Sequence, residues 1–86
     1  MRHAGPDTLR HLEPLLDQLR AIPALKEKTP GTFYRGSRAF LHFHEDPTGI
    51  FADVRLVEEF ERLRVTTAVE RKQLLRAVRG ALARAP

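Results

Sequence analysis

The chain has 86 residues, with 15 Lys and Arg, 11 Asp and Glu, a formal net charge of +4 and no cysteine. This length predicts a single domain covering residues 1–86. The lack of cysteine excludes disulfides, thiolate metal ligands and a cysteine nucleophile, and it is typical of the cytoplasm, where we expect the protein. No apolar run is long enough to cross a bilayer, so no membrane partner is expected.

The N-terminal part of the chain predicts an amphipathic helix after a flexible segment formed by residues 1–6. Apolar side chains recur there at helical spacing: Leu9, Leu12, Leu15, Leu16, Leu19 and Ile22. Pro14 leaves two alternatives open, a helix that is kinked at this residue or a regular helix that begins there. Pro23 predicts that the helix ends near Ala21.

The middle of the chain predicts an antiparallel meander of three or four strands. The central hairpin spans residues 38–55, and Asp46–Gly49 has the composition of its turn. Residues 32–35 precede it through a two-residue turn with Gly36 first, as a type II′ turn requires. Residues 24–28 are a candidate fourth strand.

The register of the central hairpin sorts its side chains onto two faces. If Asp46–Gly49 forms the loop, Glu45 pairs with Ile50 and His42 pairs with Asp53. One face is then apolar and is assigned to the core: Ala39, Leu41, Phe43, Ile50, Ala52 and Val54.

The second face is unusual because three phenylalanines lie on it among charged and polar groups. Its predicted members are Phe33, Arg35, Arg38, Phe40, His42, His44, Phe51, Asp53 and Arg55. An exposed sheet surface rarely holds so many aromatic side chains, so we expect a helix, a ligand or a partner subunit to cover this face. The leading hypothesis is a non-catalytic interaction module that forms a homodimer through it.

The C-terminal segment carries the excess positive charge and predicts a helix. Residues 67–86 hold five Lys and Arg but one Glu. Thr67 and Glu70 form a capping-box pattern that opens a helix reaching about Ala83. Between the hairpin and this helix, residues 57–65 fit either a helical stripe or an irregular edge strand, with Phe60, Leu63 and Val65 inward. The elements together predict an α+β fold, with the meander flanked by an N-terminal and a C-terminal helix.

Two imidazoles on one strand face are candidate metal ligands. His42 and His44 are separated by about 7 Å of strand, and Asp53 lies across the ladder as a possible third ligand. The alternative is a hydrogen-bonded pair of His42 and Asp53, with His44 packed on Phe51.

Nucleic acid is a second candidate partner. Aromatic and cationic side chains are interleaved on the second face, and a basic helix surface can contact phosphates. The helix residues concerned are Arg71, Lys72, Arg76 and Arg79. No nucleophile lies beside a base and no phosphate-binding glycine motif is found, so neither an enzyme nor a cofactor is expected.

The runs Ala21–Lys28 and Phe33–Phe40, followed by the central hairpin, resemble the MmcQ/YjbR-like family of small bacterial α+β proteins, or a related bacterial family. The similarity covers about residues 15–56. It implies a helix that leads through an Ile-Pro step into an antiparallel sheet, and the family has been grouped with DNA-binding proteins. No functional residue carries over from it.

Overall fold

In the computed structural model, residues 1–84 are described, and the fold is α+β as predicted. The elements in chain order are β1 (Arg2–His3), α1 (Pro6–His11), α2 (Glu13–Arg20), β2 (Lys26–Thr29), β3 (Thr32–Arg35), β4 (Arg38–Asp46), β5 (Gly49–Val54), β6 (Glu61–Arg64) and α3 (Ala68–Ala83). No helix in this part of the chain has both the length and the apolar character that crossing a bilayer needs.

All strands belong to one antiparallel sheet. β2, β3, β4, β5 and β6 follow one another as a meander, and β1 pairs with the distal half of β4. The sequence predicts three or four strands, and the structure has five in the meander and β1 beside them. β1 is only two residues long, too short to show an alternating pattern, and β6, of four residues, is the edge-strand alternative considered for residues 57–65.

The predicted register of the central hairpin is confirmed along β4 and β5. Glu45 pairs with Ile50, and His42 pairs with Asp53. The ladder continues one step further than predicted, because Asp46 pairs with Gly49 and leaves a two-residue loop, Pro47–Thr48. The Asp46 carboxylate accepts a hydrogen bond from the Thr48 amide at 2.8 Å, a bond typical of an Asp at the start of a turn.

The pairing of β3 with β4 differs from the prediction beyond the first two residue pairs. Tyr34 pairs with Ala39 as predicted, but Phe33 then pairs with Leu41 rather than with Phe40. The register shift leaves Phe40 as an extra residue, which is a β-bulge. A bulge interrupts the alternation of faces, so Phe40 and Leu41 are both buried although they are adjacent in the chain.

A single hydrophobic core joins the sheet to α2 and α3. The helices contribute leucines and a valine, and the strands contribute aromatic, aliphatic and alanine side chains. The members with almost no exposed surface include Leu16, Leu19, Phe33, Phe40, Leu41, Ala52, Val54, Val65, Leu74 and Val78. Phe33 and Phe40, predicted to lie on the second face, therefore belong to the core.

The two helical segments at the N-terminus combine both alternatives considered for Pro14. The helix is interrupted at Leu12, between α1 and α2, and Pro14 lies in the first turn of α2. Proline is tolerated at that position because the amide of a first-turn residue has no partner within the helix. Residues 1–6, predicted to be flexible, contain β1 and the first residue of α1.

The region between β5 and α3 is an irregular loop followed by the edge strand β6. Val65 is buried and Leu63 is half-buried as predicted, whereas Phe60 lies in the loop and keeps 38% of its surface exposed. The capping box of α3 is present, since Thr67 accepts from the Glu70 amide and Glu70 accepts from the Thr67 amide.

We expect Phe33→Leu to lower the free energy of unfolding by about 1 kcal/mol, because Leu leaves part of a fully buried volume unfilled. Val57→Ala, at a position that is 72% exposed, is the control for an exposed apolar side chain and should change it by less than about 0.5 kcal/mol. Urea denaturation measures both. Equal effects for the two variants would contradict the core position of Phe33.

An ion-pair network ties α2 to β2 and to the turn that follows it. Arg20 donates from Nε to Glu27 Oε1 at 2.6 Å and from Nη2 to Glu27 Oε2 at 3.1 Å. The Oε2 atom also accepts from the Gly31 amide at 2.8 Å. The Arg20 hydrogen bond lowers the pKa of Glu27 below its ordinary value of 4.5, burial opposes this, and the Gly31 amide adds to it.

Glu27→Gln should lower the free energy of unfolding by about 1 kcal/mol near pH 7, because the glutamine amide cannot form the charge-assisted bonds to the partly exposed Arg20. A carboxylate whose pKa is lowered by folding stabilises the native state above its unfolded pKa, and that stabilisation is lost as the pH falls through the lowered value. The difference in the free energy of unfolding between the parent protein and Glu27→Gln should therefore shrink below pH 4.5.

Urea denaturation from about pH 7 to about pH 3 measures this difference. Asp7→Asn, which breaks the exposed pair with Arg10, is the control and should have little effect at any pH. A Glu27→Gln difference that stays constant with pH would contradict the assigned role.

Candidate metal centre

The sheet face opposite the core, here called the outer face, carries two rows of side chains. Residues directly opposite each other in neighbouring strands share a face. The pairings therefore give one row of His3, His44, Phe51 and Arg64, and a second row of His42, Asp53 and Arg62. The outer face thus brings three of the four histidines of the chain together.

The three imidazoles form a compact cluster. One ring nitrogen of each of His3, His42 and His44 lies within 4.8 Å of the corresponding nitrogens of the other two. The His3 ring stacks on the His44 ring at a centroid distance of 4.6 Å, and His44 Nε2 lies 3.0 Å from His42 Nδ1. His3 is exposed, and the other two are half-buried.

Asp53 lies beside the cluster and is held there by Arg62. The guanidinium donates to both carboxylate oxygens, through Nε at 2.7 Å and Nη2 at 2.8 Å. These bonds lower the pKa of Asp53, and burial opposes them. The Asp53 Oδ2 atom is also 3.1 Å from His44 Nε2, so the carboxylate contacts one imidazole of the cluster while it neutralises the neighbouring arginine.

The surroundings of His42 favour its neutral form. Burial lowers the pKa of His42, the His44 ring lowers it further, and Asp53 opposes both. Phe60 packs against the His42 ring with its centroid 5.1 Å away, and the Arg55 guanidinium lies over Phe60 at 4.3 Å. A neutral imidazole is the form that offers a lone pair to a metal ion.

His3 is the member of the cluster that sequence reasoning missed. β1 places it opposite His44, in a strand of two residues. A segment so short has no hydrophobic period, so no local pattern predicts that it pairs with β4. The nearest signal is the charge complementarity of Arg2 and Glu45, but the chain offers many such pairs.

Of the three predicted metal residues, His42 and His44 lie within the cluster, and Asp53 lies at its border. Asp53 pairs across the ladder with His42 as predicted, yet its oxygens bond to Arg62 and approach His44. His44 and Phe51 are cross-strand partners, and the His44 ring contacts the rings of His3 and His42.

The remaining residues of the predicted partner face are dispersed. Phe33 and Phe40 are in the core, and Phe51 is half-buried on the outer face. Arg35 and Arg38 are exposed at the turn between β3 and β4. Because two of the three phenylalanines are covered by the chain itself, the main reason for expecting a partner subunit on this face no longer applies.

The other arginine predicted for that face, Arg55, serves the fold. Its guanidinium donates to the carbonyl oxygens of Ala39 at 3.1 Å and Glu58 at 2.8 Å, and it covers the Phe60 ring. These contacts tie the irregular loop after β5 to the start of β4. The Arg55 guanidinium thus stabilises the local fold through these contacts.

The basic residues predicted to contact nucleic acid lie along α3. Lys72, Arg76 and Arg79 are exposed, whereas Arg71 is half-buried and donates to the carbonyl oxygens of Val65 and Thr66. Arg71 therefore closes the turn that leads into α3. Nucleic-acid binding by this helix stays a prediction.

Comparison of the chain with protein-family models, with curated proteins and with solved structures found no match. The resemblance to MmcQ/YjbR-like proteins therefore stays an expectation.

Proposed function

We propose that the protein binds a divalent transition-metal ion, Zn²⁺ or an ion of similar preference, through His3, His42 and His44. The observation that carries this proposal is the convergence of one nitrogen from each ring within 4.8 Å. Imidazole is a ligand for zinc, copper, nickel and iron, whereas magnesium and calcium prefer oxygen ligands. The donor set therefore favours the first group of ions.

The geometry requires only a small adjustment for binding. Tetrahedral zinc with Zn–N bonds of about 2.0–2.1 Å holds its nitrogen ligands about 3.3 Å apart. The 3.0 Å separation of His42 Nδ1 and His44 Nε2 is already near this value. The remaining separations can close by side-chain rotation, since His3 is exposed and lies on a short strand.

The charges around the cluster also permit a cation. Arg62 is the cation within the second row, and its two bonds to Asp53 neutralise it. Asp53 Oδ2 lies 3.1 Å from His44 Nε2, the same nitrogen that faces His42 Nδ1, so the carboxylate adds negative charge beside the cluster and this contact is exchanged for the metal when Nε2 binds it. Three nitrogen ligands leave a coordination position for water or for a ligand from outside the chain.

Calorimetric titration with Zn²⁺ should show one ion bound per chain, and Mg²⁺ should not bind. His42→Ala and His44→Ala should each weaken zinc binding at least about tenfold, because each removes one of three ligands. His11→Ala is the matched control, since His11 is exposed on α1 and away from the cluster. Circular dichroism confirms that each variant is folded. An absence of zinc binding by the parent protein, or an equal loss in His11→Ala, would refute the site.

The identity of the third ligand can be tested separately. If His3 is that ligand, His3→Ala should weaken zinc binding as strongly as His44→Ala does. Asp53→Asn should weaken it less, because both oxygens of the Asp53 carboxylate accept from Arg62 and the third donor is His3. A larger loss in Asp53→Asn than in His3→Ala would replace His3 with Asp53 in the ligand set.

A further inference from the structure

The third histidine of the site is held by a short and exposed segment. Residues 1–5, here called the N-terminal arm, contact the sheet through the two residue pairs of β1 and through the Ala4 amide, which donates to the Phe43 carbonyl at 3.0 Å. Arg2 and His3 are both exposed. A two-residue strand is marginal by itself and opens easily unless other groups hold it.

Glu45 supplies the side-chain contacts that hold this arm. Its Oε2 accepts a hydrogen bond from the Gly5 amide at 2.6 Å, and its Oε1 accepts from Arg2 Nη2 at 3.3 Å. The Glu45 side chain is only 18% exposed, while that of Arg2 is 79% exposed.

These two bonds lie on either side of His3 in the chain. Arg2 precedes it by one residue and Gly5 follows it by two, so one carboxylate contacts the Arg2 side chain before the ligand and the Gly5 backbone after it. Glu45 is also adjacent to His44 in β4, which places the anchor beside the cluster. We propose that Glu45 is the residue that positions His3 for metal binding, an inference that rests on the three-histidine site proposed above.

This arrangement couples the arm to the metal. If His3 binds the ion only when the arm is paired with β4, a bound ion must stabilise the paired arm. By the same coupling, loss of the Glu45 anchor must weaken binding of the ion. Binding of zinc should therefore slow hydrogen exchange at the Ala4 and Gly5 amides, which are the donors to Phe43 and Glu45.

Glu45→Ala tests the anchor directly. It should weaken zinc binding about tenfold, as the loss of supporting groups around metal ligands usually does. Glu27→Ala is the matched structural control, because Glu27 likewise accepts from an arginine and from a glycine amide, at Arg20 and Gly31. Glu27→Ala should lower stability and leave zinc affinity unchanged.

Asp46→Asn is the control for charge. It removes a carboxylate next to Glu45 in the chain, and the hydrogen bonds of that carboxylate go to Thr48 in the turn. Its zinc affinity should match that of the parent protein. A tenfold loss in Asp46→Asn would show that negative charge near the site matters rather than the position of the arm, and it would overturn the proposal.

The decisive comparison is a double-mutant cycle with His3. Where His3→Ala has already removed the third ligand, Glu45→Ala should cause no further loss of zinc affinity. An equal loss in both backgrounds, or no loss from Glu45→Ala alone while His3→Ala weakens binding, would overturn the role of Glu45 and leave the three-histidine site standing. If His3→Ala itself has no effect, the proposed ligand set fails first.

Discussion

The pairing of β4 with β5 is the constraint on which the rest of the structure depends. β4 is the longest strand, and it contacts β5 along one edge and both β3 and β1 along the other. The register of this one ladder decides which side chains enter the core and which form the outer face. A slip by one residue would carry His42 and His44 into the core and Leu41 and Phe43 out of it.

One face of this hairpin carries apolar side chains that must be buried and the other carries polar side chains, which is why its register is unambiguous. Leu41, Ala52 and Val54 are fully buried with the helices, and burial of apolar surface favours only the arrangement that puts them together. The same alternation leaves the imidazoles and Asp53 on the other face. The candidate metal centre is therefore a consequence of how the core is built.

The β-bulge at Phe40 changes the character of the outer face. A regular ladder between β3 and β4 would place Phe33 and Phe40 beside the histidines. The bulge brings both into the core, and it leaves an outer face that is mostly polar with Phe51 half-buried. The outer face therefore lacks the apolar area that suggested an assembly surface, and the three imidazoles and the Arg62–Asp53 ion pair lie on it instead.

The sequence by itself determined the features that depend on neighbouring residues. The turn residues Asp46–Gly49 and the alternation beside them specify the central hairpin, and Thr67 with Glu70 specifies the start of α3, because their bonds join residues a few positions apart. Tertiary structure decided the bulge, the edge strand β6 and the pairing of β1. His3 lies beside His44 because β1 pairs with β4, about forty positions away in the chain, and Glu45 contacts the same segment. No local pattern encodes such a pairing, since many carboxylates and amides in the chain could form the same bonds and only the assembled sheet selects this one.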